Sequence, residues 1–297
     1  MRIAVIGTSG QLGFDLARVL PERGHEVVAF SGRAELDVCD AVAFGKMLGE
    51  KRPEAVINTA AFHNVDLCEK ETDAAYRTNV VAVREMAKGC EAAGVTFVQI
   101  GTDYVVEGWP RCKPVAEQAR GDVRPNSIYS FTRYGGDCMT LTHAPTFGYV
   151  VRSCGLFGVA GCKLKGGFNF VDSMIKMAKE GKKLKVVHDQ VASPTPTDDL
   201  SVQLAMILEA GREKVSPGLY HAVSHGEASW YLFAKTALQM SGLKFEIEPV
   251  ASSVFAAAAK RPRYSVLDNA KLRGLGMDVM KEWREGLARY VAAKYGS

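Results

Sequence analysis

A glycine-rich turn follows directly after the first apolar segment of the chain, Ile3–Ile6. The turn reads Gly7-Thr8-Ser9-Gly10-Gln11-Leu12-Gly13, and an amphipathic stretch comes next. Between a strand and a helix, the first glycine allows a tight bend and the second lets a pyrophosphate approach main-chain N–H groups. The third lets the helix pack on the sheet, and the helix N-terminus adds partial positive charge. The spacing predicts a dinucleotide-binding turn, with cofactor contacts from Gly7, Ser9, Gly10, Gln11 and Leu12.

Apolar runs rich in β-branched residues alternate with helical patterns through the first half of the chain. The runs lack the strict polar alternation of a one-sided sheet, so they suit strands that are covered on both faces. Strand–helix alternation of this kind predicts an α/β fold with a doubly wound parallel sheet of the Rossmann type. The predicted strands are Ile3–Ile6, Glu26–Phe30, Ala55–Asn58, Phe97–Ile100 and Gly148–Arg152, and the predicted helices are Leu12–Leu20, Ala41–Leu48, Ala74–Ala93 and Tyr129–Leu141.

The pattern loosens after residue 153, and no Pro/Gly/Ser-rich linker marks a boundary there. We therefore expect residues 1–153 to form the dinucleotide-binding Rossmann domain. Residues 154–297 are expected to form mainly a smaller, interleaved substrate-binding lobe, with some segments returning to the Rossmann sheet. Its predicted helices are Phe168–Glu180, Asp198–Glu209, Ser229–Met240 and Trp283–Lys294, and its predicted strands are Leu184–Val187 and Gly218–Val223.

Charge and composition exclude several kinds of partner. The 297 residues carry a formal net charge of +4, and the densest basic runs lack the interleaved aromatic residues of a nucleic-acid platform. No apolar run approaches membrane-spanning length, and no signal peptide is recognisable. The seven cysteines contain no Cys-x-x-Cys pair, which favours reduced thiols in a cytoplasmic protein without a metal site. The basic runs are Lys163–Lys165, Lys179–Lys185 and Lys260–Arg263.

The residues after the second predicted strand bear on the choice of cofactor. An NAD-specific site usually places Asp or Glu there to hold the ribose 2′-hydroxyl, and the segment Phe30-Ser31-Gly32-Arg33 has neither. Ser31 and Arg33 could instead bind the 2′-phosphate of NADP, although Arg33 is equally well read as a solvated loop residue. NADP is therefore the preferred cofactor and NAD the alternative. Further cofactor contacts are expected from Asp37 and Val38 beside the adenine, and from Ala60 and Ala61 after the third strand.

A hydroxyl, a phenol and a cation follow the fourth predicted strand and suit carbonyl reduction. Thr102 lies at the carboxyl edge of the sheet, where such folds bind ligands, and Tyr129 and Arg133 share one face of a predicted helix. Reduction of a carbonyl needs a proton donor beside the oxygen, and a fixed cation makes Tyr a better donor. We therefore predict Thr102, Tyr129 and Arg133 as catalytic residues. On spacing alone, the Tyr–Arg pair also fits a helix surface.

Short segments along nearly the whole chain recur in one family in the same order. They are the glycine turn, Asn58–Ala61, Asn79-Val80, Thr102–Val105, Gly108, Pro125–Tyr129, Arg152-Ser153, Asn169–Val171, Asp189–Thr195, Gly218–His221, Ser229–Ala234 and Arg261–Asp268. With these segments the chain resembles the dTDP-4-dehydrorhamnose reductases, or NDP-4-keto-6-deoxysugar reductases. These are extended short-chain dehydrogenases of dTDP-L-rhamnose synthesis. Thr102-Asp103-Tyr104 differs from the sugar-nucleotide dehydratases, in which an acidic residue normally follows Thr-Asp.

The resemblance implies a reaction and a set of site residues. NADPH or NADH would deliver hydride to the 4-keto carbon of a nucleotide-linked sugar, while Tyr129 donates a proton and Thr102 holds the keto oxygen. The residue four after Tyr129 would bind the nicotinamide ribose. Asn79 is expected at the cofactor, and a homodimer is left open. The residues expected at the substrate are His63, which follows the third strand, and Asp103, Tyr104, Asn169, Gln190 and Trp230.

Arg133 is the main departure from the family, which has Lys four residues after the Tyr. A forked, planar guanidinium does not replace a compact ammonium that reaches two ribose hydroxyls. Two alternatives follow from this departure: a non-catalytic, NADP-binding regulatory subunit, and a reductase of a different sugar nucleotide. The regulatory subunit of methionine adenosyltransferase has this fold in such a non-catalytic role. Smaller departures are Val106, Ser130, Cys154 and Ala192.

Overall fold

Strands and helices alternate along the chain in a computed structural model that describes residues 1–161 and 166–296. The run Lys163–Lys165 and Cys162 therefore lie outside the described residues. The strands are β1 (Arg2–Ile6), β2 (Glu26–Phe30), β3 (Ala55–Asn58), β4 (Thr96–Thr102), β5 (Gly148–Ser153), β6 (Leu156–Phe157), β7 (Leu184–Val187), β8 (Val191–Ala192), β9 (Thr195–Pro196), β10 (Gly218–His221), β11 (Ala228–Ser229) and β12 (Ile247–Val250).

The helices occupy most of the predicted positions. They are α1 (Gln11–Glu22), α2 (Ala41–Lys51), α3 (Val65–Cys68), α4 (Thr72–Tyr76), α5 (Ala82–Ala93), α6 (Ile128–His143), α7 (Phe170–Lys179), α8 (Thr197–Lys214), α9 (Trp230–Met240), α10 (Ala270–Gly274) and α11 (Trp283–Tyr295). A π-helical turn over Arg77–Val81 connects α4 with α5, where the sequence predicted one uninterrupted helix. None of the described helices is long and apolar enough to cross a membrane.

A six-stranded parallel sheet with the order β10-β5-β4-β3-β1-β2 forms the centre of the fold. The predicted α/β class with a doubly wound sheet is confirmed. The chain leaves β1 toward β2 and then returns to β3 on the other side of β1. The carboxyl ends of β1 and β3 therefore form the switch point at which such sheets bind ligands.

The sheet is covered on both faces, as the apolar runs predicted. Along β1, Ile3 and Val5 pack against α1 and α8, while Ala4 and Ile6 pack toward α2 and α5. Neighbouring side chains of a strand point to opposite faces, so one short apolar strand contributes to two cores.

The C-terminal half contributes both to the sheet and to a third core. β10 pairs with β5, and α8 packs against α1. A separate apolar cluster joins α7, α9 and α11 around Phe233 and Trp283. The division at residue 153 remains a proposal.

Candidate functional site

The glycine turn after β1 brings three backbone segments together. Gly7 has φ +92°, a conformation that glycine adopts without strain, and its N–H donates to the carbonyl of Phe30 at 2.8 Å. A Cβ on Gly13 would lie 2.2 Å from the Gly7 carbonyl oxygen, and a Cβ on Gly7 would lie 2.5 Å from Thr59 Oγ1. A side chain at Gly13 would displace the backbone, and one at Gly7 would collide with the Thr59 hydroxyl and be strained by the positive φ.

The N-terminus of α1 faces the same turn. Gly10 is its N-cap, and none of the described side chains caps it, which leaves its first N–H groups for an anion. The side chains of Gln11 and Leu12, two predicted cofactor contacts, interact with other parts of the protein. Gln11 donates to the Leu156 carbonyl at 3.5 Å and accepts from the Gly158 N–H at 3.0 Å, and Leu12 is buried in the core. We therefore assign Gln11 and Leu12 main-chain contacts only.

An acidic residue outside the segment Phe30–Arg33 folds back to the end of β2. The Glu35 carboxylate accepts hydrogen bonds from Ser31 N at 2.7 Å and from Ser31 Oγ at 2.6 Å. The sequence did not predict this contact, because Glu35 lies four residues after Ser31 and approaches it only where the loop folds back. Arg33 is exposed, with Nε 3.6 Å from Asp37 Oδ2. The end of β2 therefore carries both an acid and a cation.

The side chains of two other predicted cofactor contacts, Val38 and Asn79, are buried against other parts of the protein. Val38 is buried in the core beside Phe44 and Met47, so its side chain is not exposed to a ligand. Asn79 is buried within the π-helical turn, where its side chain accepts from Phe62 N at 2.9 Å and donates to the Phe62 carbonyl and to Thr132 Oγ1, both at 3.1 Å. Asn79 thereby ties the loop after β3, which contains Ala60 and Ala61, to α6.

The start of α6 positions Tyr129. Ser127 is the N-cap, and its hydroxyl accepts from Ser130 N at 3.3 Å. The Ser130 hydroxyl in turn accepts from Ser127 N at 2.9 Å, which completes a capping box. Tyr129 therefore lies in the first turn of a helix whose starting point is fixed by two reciprocal hydrogen bonds.

The structure brings the three predicted catalytic residues together. Thr102 is the last residue of β4, and its hydroxyl lies beside the phenol of Tyr129, where it lowers the pKa of that phenol. The Arg133 guanidinium lowers it further, as the sequence predicted. Burial outweighs both effects, so the pKa of Tyr129 is raised above its ordinary value. Tyr129 consequently keeps its proton at neutral pH and can donate it.

Arg133 lies beneath this pair rather than on the helix surface. The side chain is buried, and Nη2 donates a hydrogen bond to the carbonyl of Ile100 on β4. Its Nε is buried and has no hydrogen-bond partner among the described residues. A buried donor without a partner is costly, and it marks a place where a ligand oxygen would be stabilised.

A cleft beside these residues contains four of the predicted substrate contacts. Asp103, Tyr104, Gln190 and Trp230 all line it. The rings of Tyr104 and Tyr129 meet edge to face, with centroids 5.4 Å apart. His63 is exposed in the loop after β3, outside the residues that line this cleft.

The cleft also contains a cation for which the sequence predicted no role. Arg261 lines it, lies beside the phenol of Tyr104, and pairs through Nη2 with Asp66 Oδ2 at 2.7 Å. Arg261 belongs to the Arg261–Asp268 segment that carried the family resemblance, and this membership was the feature of the sequence that could have pointed to it. Its position beside Tyr104 depends on a long-range contact.

Asn169 has a structural role. It is the N-cap of α7, and its side chain accepts from Asp172 N at 3.0 Å. The amide nitrogen donates to the Gly158 carbonyl at 3.2 Å and to Tyr290 Oη at 2.8 Å. Both ends of the side-chain amide are occupied, and we therefore leave Asn169 out of the proposed substrate site.

Comparison with known proteins decides the family. The family model described as RmlD substrate binding domain matches residues 1–295. The chain belongs to this family. It is 35% identical over 297 residues to a dTDP-4-dehydrorhamnose reductase of Streptomyces griseus, with 99% of this chain and 94% of that protein covered.

Solved structures of RmlD-family proteins agree closely with the fold. The dTDP-4-dehydrorhamnose reductase of Clostridium acetobutylicum superposes with a TM-score of 0.89 at 35% identity and covers 99% of both chains. The Bacillus anthracis enzyme, solved in complex with NADP, has a TM-score of 0.90 at 32% identity and covers 98% of this chain and 99% of its own. The predicted family and the predicted class of enzyme, an oxidoreductase, are confirmed.

The residues of this RmlD-family chain fit a nicotinamide dinucleotide. The Gly7–Gly13 turn leaves room that a Cβ would fill, and the N-terminus of α1 supplies N–H donors for a pyrophosphate. The orphaned Nε of Arg133 is a third, independent match. These features concern the backbone and one buried cation, so they do not by themselves choose between NADP and NAD.

Proposed function

We propose that this protein is an NADPH-dependent reductase that converts the 4-keto group of dTDP-4-dehydrorhamnose, a nucleotide-linked 6-deoxysugar, into a hydroxyl. The observation that carries the proposal is the cluster of Thr102 and Tyr129 at the carboxyl end of β4, with Arg133 beneath it. It lies in a chain of the RmlD family, next to a cleft that Tyr104 and Arg261 line.

The side chains divide the work of carbonyl reduction. When bound, NADPH supplies a hydride. Thr102 donates a hydrogen bond to the keto oxygen and orients it, and Tyr129 transfers its phenolic proton to that oxygen. Arg133 stabilises the phenolate that this transfer leaves behind, because its guanidinium keeps a positive charge close to the phenol.

The cofactor is proposed to lie along the carboxyl ends of β1, β2 and β3. Main-chain N–H groups of the glycine turn would hold the pyrophosphate, and Ala60 and Ala61 would lie beside the bound nucleotide. At the ribose, Arg33 would attract a 2′-phosphate, and the Glu35 carboxylate would accept a 2′-hydroxyl. We therefore propose NADPH as the preferred cofactor and NADH as a second, weaker one.

The substrate is proposed to lie in the cleft. Arg261 supplies positive charge for the diphosphate of a nucleotide sugar, and Trp230 offers an aromatic face beside it. Tyr104 and Gln190 provide polar groups for the sugar. A reductase of another nucleotide-linked keto-sugar would share the Thr102–Tyr129 chemistry and differ only in this cleft. Cytoplasmic location and a homodimer remain predictions.

The first experiment mixes purified protein with NADPH and dTDP-4-dehydrorhamnose and follows the loss of NADPH absorbance. Tyr129→Phe removes only the phenolic hydroxyl, so we expect its kcat to fall at least about 100-fold. A fluorescence titration checks that the variant still binds NADPH. Absence of turnover in the wild-type protein, together with measurable NADPH binding, would contradict the proposal and favour a non-catalytic, cofactor-binding role.

A further inference from the structure

Three hydrogen bonds join Asp66, Ala259 and Arg261 into a closed ring beside the cleft. Asp66 lies on α3, and its Oδ1 accepts from Ala259 N at 3.1 Å. Its Oδ2 accepts from Arg261 Nη2 at 2.7 Å, and Arg261 Nη1 donates to the Ala259 carbonyl at 3.1 Å. The guanidinium is therefore held at two of its nitrogens, and the same carboxylate holds the backbone next to it.

The ring supports Arg261 from outside the cleft. Among the described residues that line the cleft, Arg261 is included and Asp66 is not. A guanidinium carries five N–H donors in a planar fork, so the two hydrogen bonds of the ring do not exhaust it. A freely moving arginine loses rotamer freedom when it binds an anion, whereas an arginine that is already fixed loses less.

We propose that Asp66 is a positioning residue, which holds the Arg261 guanidinium in place for the diphosphate of the nucleotide sugar. The inference rests on the proposed function, because it takes a nucleotide sugar as the ligand of the cleft. It adds that the affinity for a nucleoside diphosphate depends on a carboxylate that lies outside the cleft and acts through Arg261.

Both partners of the Asp66 carboxylate are donors, which makes the ring sensitive to a change of one atom. The hydrogen bond from Arg261 holds the pKa of Asp66 below its ordinary value, so the carboxylate is ionised at neutral pH. An asparagine has one oxygen that accepts and one nitrogen that only donates. Asp66→Asn therefore keeps the size of the side chain and opens the ring at one of its hydrogen bonds.

Two effects of Asp66→Asn on anion binding oppose each other. Loss of the negative charge strengthens the attraction of an anion to Arg261. Solvent screens this charge, since 46% of the Asp66 side chain and 25% of the Arg261 side chain are exposed. Loss of the ring frees a long side chain that binding must then immobilise, and we expect this effect to dominate, with a rise of about fivefold in the Kd for dTDP.

Calorimetric titration of the NADPH-saturated protein with dTDP measures the effect without turnover. The Kd for NADPH should stay within about twofold of wild type in Asp66→Asn, which shows that the variant is folded. Unchanged or tighter binding of dTDP in the variant would overturn the proposal. So would a loss of NADPH affinity as large as the loss of dTDP affinity, or a wild-type protein that does not bind dTDP.

A double-mutant cycle shows whether Asp66 acts through Arg261. Arg261→Ala alone is expected to weaken dTDP binding at least about tenfold, because it removes the cation itself. The double variant Asp66→Asn/Arg261→Ala should bind dTDP no more weakly than Arg261→Ala does. A further fall of about fivefold in the double variant would overturn the proposal, because Asp66 would then act on the fold and not through the guanidinium.

Glu107 offers a matched control, since its carboxylate holds the backbone of the same segment. Its Oε2 accepts from Arg263 N at 2.9 Å, and its Oε1 accepts from Tyr264 N at 3.0 Å. Glu107→Gln removes one negative charge, as Asp66→Asn does, and should change the Kd for dTDP by less than about twofold. A loss in this control equal to that in Asp66→Asn would overturn the proposal.

Steady-state kinetics separate this inference from the proposed function. In Asp66→Asn, the KM for dTDP-4-dehydrorhamnose should rise with the Kd for dTDP, while kcat stays within about twofold of wild type. A fall in kcat with an unchanged KM would overturn the positioning role. A wild-type protein that binds dTDP in an Asp66-dependent way, but shows no turnover, would instead contradict the proposed function, so the two failures are distinguishable.

Discussion

Arg133 on α6 donates a hydrogen bond to the backbone carbonyl of Ile100 on β4. This contact ties the helix that carries Tyr129 to the strand that ends in Thr102. It also holds a permanent positive charge beneath the phenol, with Nε left without a partner among the described residues. The family resemblance implies Lys at this position, and the hydrogen bond to Ile100 accommodates the longer Arg side chain there.

Arg133→Lys is expected to raise kcat/KM by about tenfold, since a compact ammonium can reach the nicotinamide ribose hydroxyls better than the forked head can. The loss of the Ile100 hydrogen bond should lower the free energy of unfolding by about 1.5–3 kcal/mol. Arg133→Met, which removes the charge and keeps much of the volume, should instead lower kcat. The assays are steady-state kinetics and urea unfolding. No gain in a Lys variant that binds NADPH would favour the non-catalytic alternative.

Gly13→Ala is expected to weaken NADPH binding by at least about tenfold, a change in binding free energy of about 1.4 kcal/mol or more. The added Cβ would lie 2.2 Å from the Gly7 carbonyl oxygen, so the turn must shift. Gly45→Ala is the control, because nothing lies within 4 Å of a Cβ there and alanine should stabilise α2 by up to about 1 kcal/mol. Fluorescence titration with NADPH measures the affinities. Equal NADPH affinity in the two variants would contradict the proposed pyrophosphate site at the Gly7–Gly13 turn.

Glu35→Gln is expected to raise the preference for NADPH over NADH by about tenfold, because it removes a negative charge beside the proposed 2′-phosphate position. Arg33→Ala should change the preference in the opposite direction by a similar factor. Both follow from kcat/KM measured with the two cofactors at low ionic strength. If both variants keep the wild-type preference for NADPH over NADH, the residues at the end of β2 do not contact the ribose 2′ position.

His221 is expected to lower the free energy of unfolding in mild acid. The ring is fully buried in β10, and burial together with the Arg152 charge lowers its pKa to about 3. The unfolded chain takes up a proton near pH 6.5, and the folded chain does not until far lower pH. The unfolded state is therefore favoured as pH falls, by about 2 kcal/mol between pH 7.5 and pH 5.

Urea unfolding at these two pH values, in the wild type and in His221→Asn, measures this contribution. The variant should lose about 2 kcal/mol less than the wild type over the same interval. Equal losses in the two proteins would mean that His221 is not the residue responsible.

The sheet could be predicted from local sequence because its strands are short apolar runs that are buried on both faces. Ala55–Asn58 and Glu26–Phe30 have the predicted bounds, and β4 extends the predicted strand to Thr102. The π-helical turn at Arg77–Val81 was missed, because helical spacing in the sequence continues through it without a break.

The cluster proposed to be catalytic could be predicted in part, since Thr102 ends a strand and Tyr129 lies in the first turn of a helix. The contact of Glu35 with Ser31 could not, because it depends on the local path of the loop after β2. The contact of Arg261 with Asp66 could not, because the two residues are far apart in the chain. Asn79 and Asn169 have hydrogen-bond partners within the protein that the sequence did not predict. Both belong to family segments, but their amides are occupied in holding loops and helices in place.

Transfer of deuterium from the cofactor to the sugar is a direct test of the proposed reduction. Wild-type protein is incubated with NADPH that carries deuterium at the reactive carbon and with dTDP-4-dehydrorhamnose, and the product is examined by NMR. We expect a nucleotide sugar with deuterium at C4 and a new hydroxyl there, formed far more slowly by Tyr129→Phe. Unlabelled sugar and unoxidised cofactor, in a protein that binds NADPH, would contradict it.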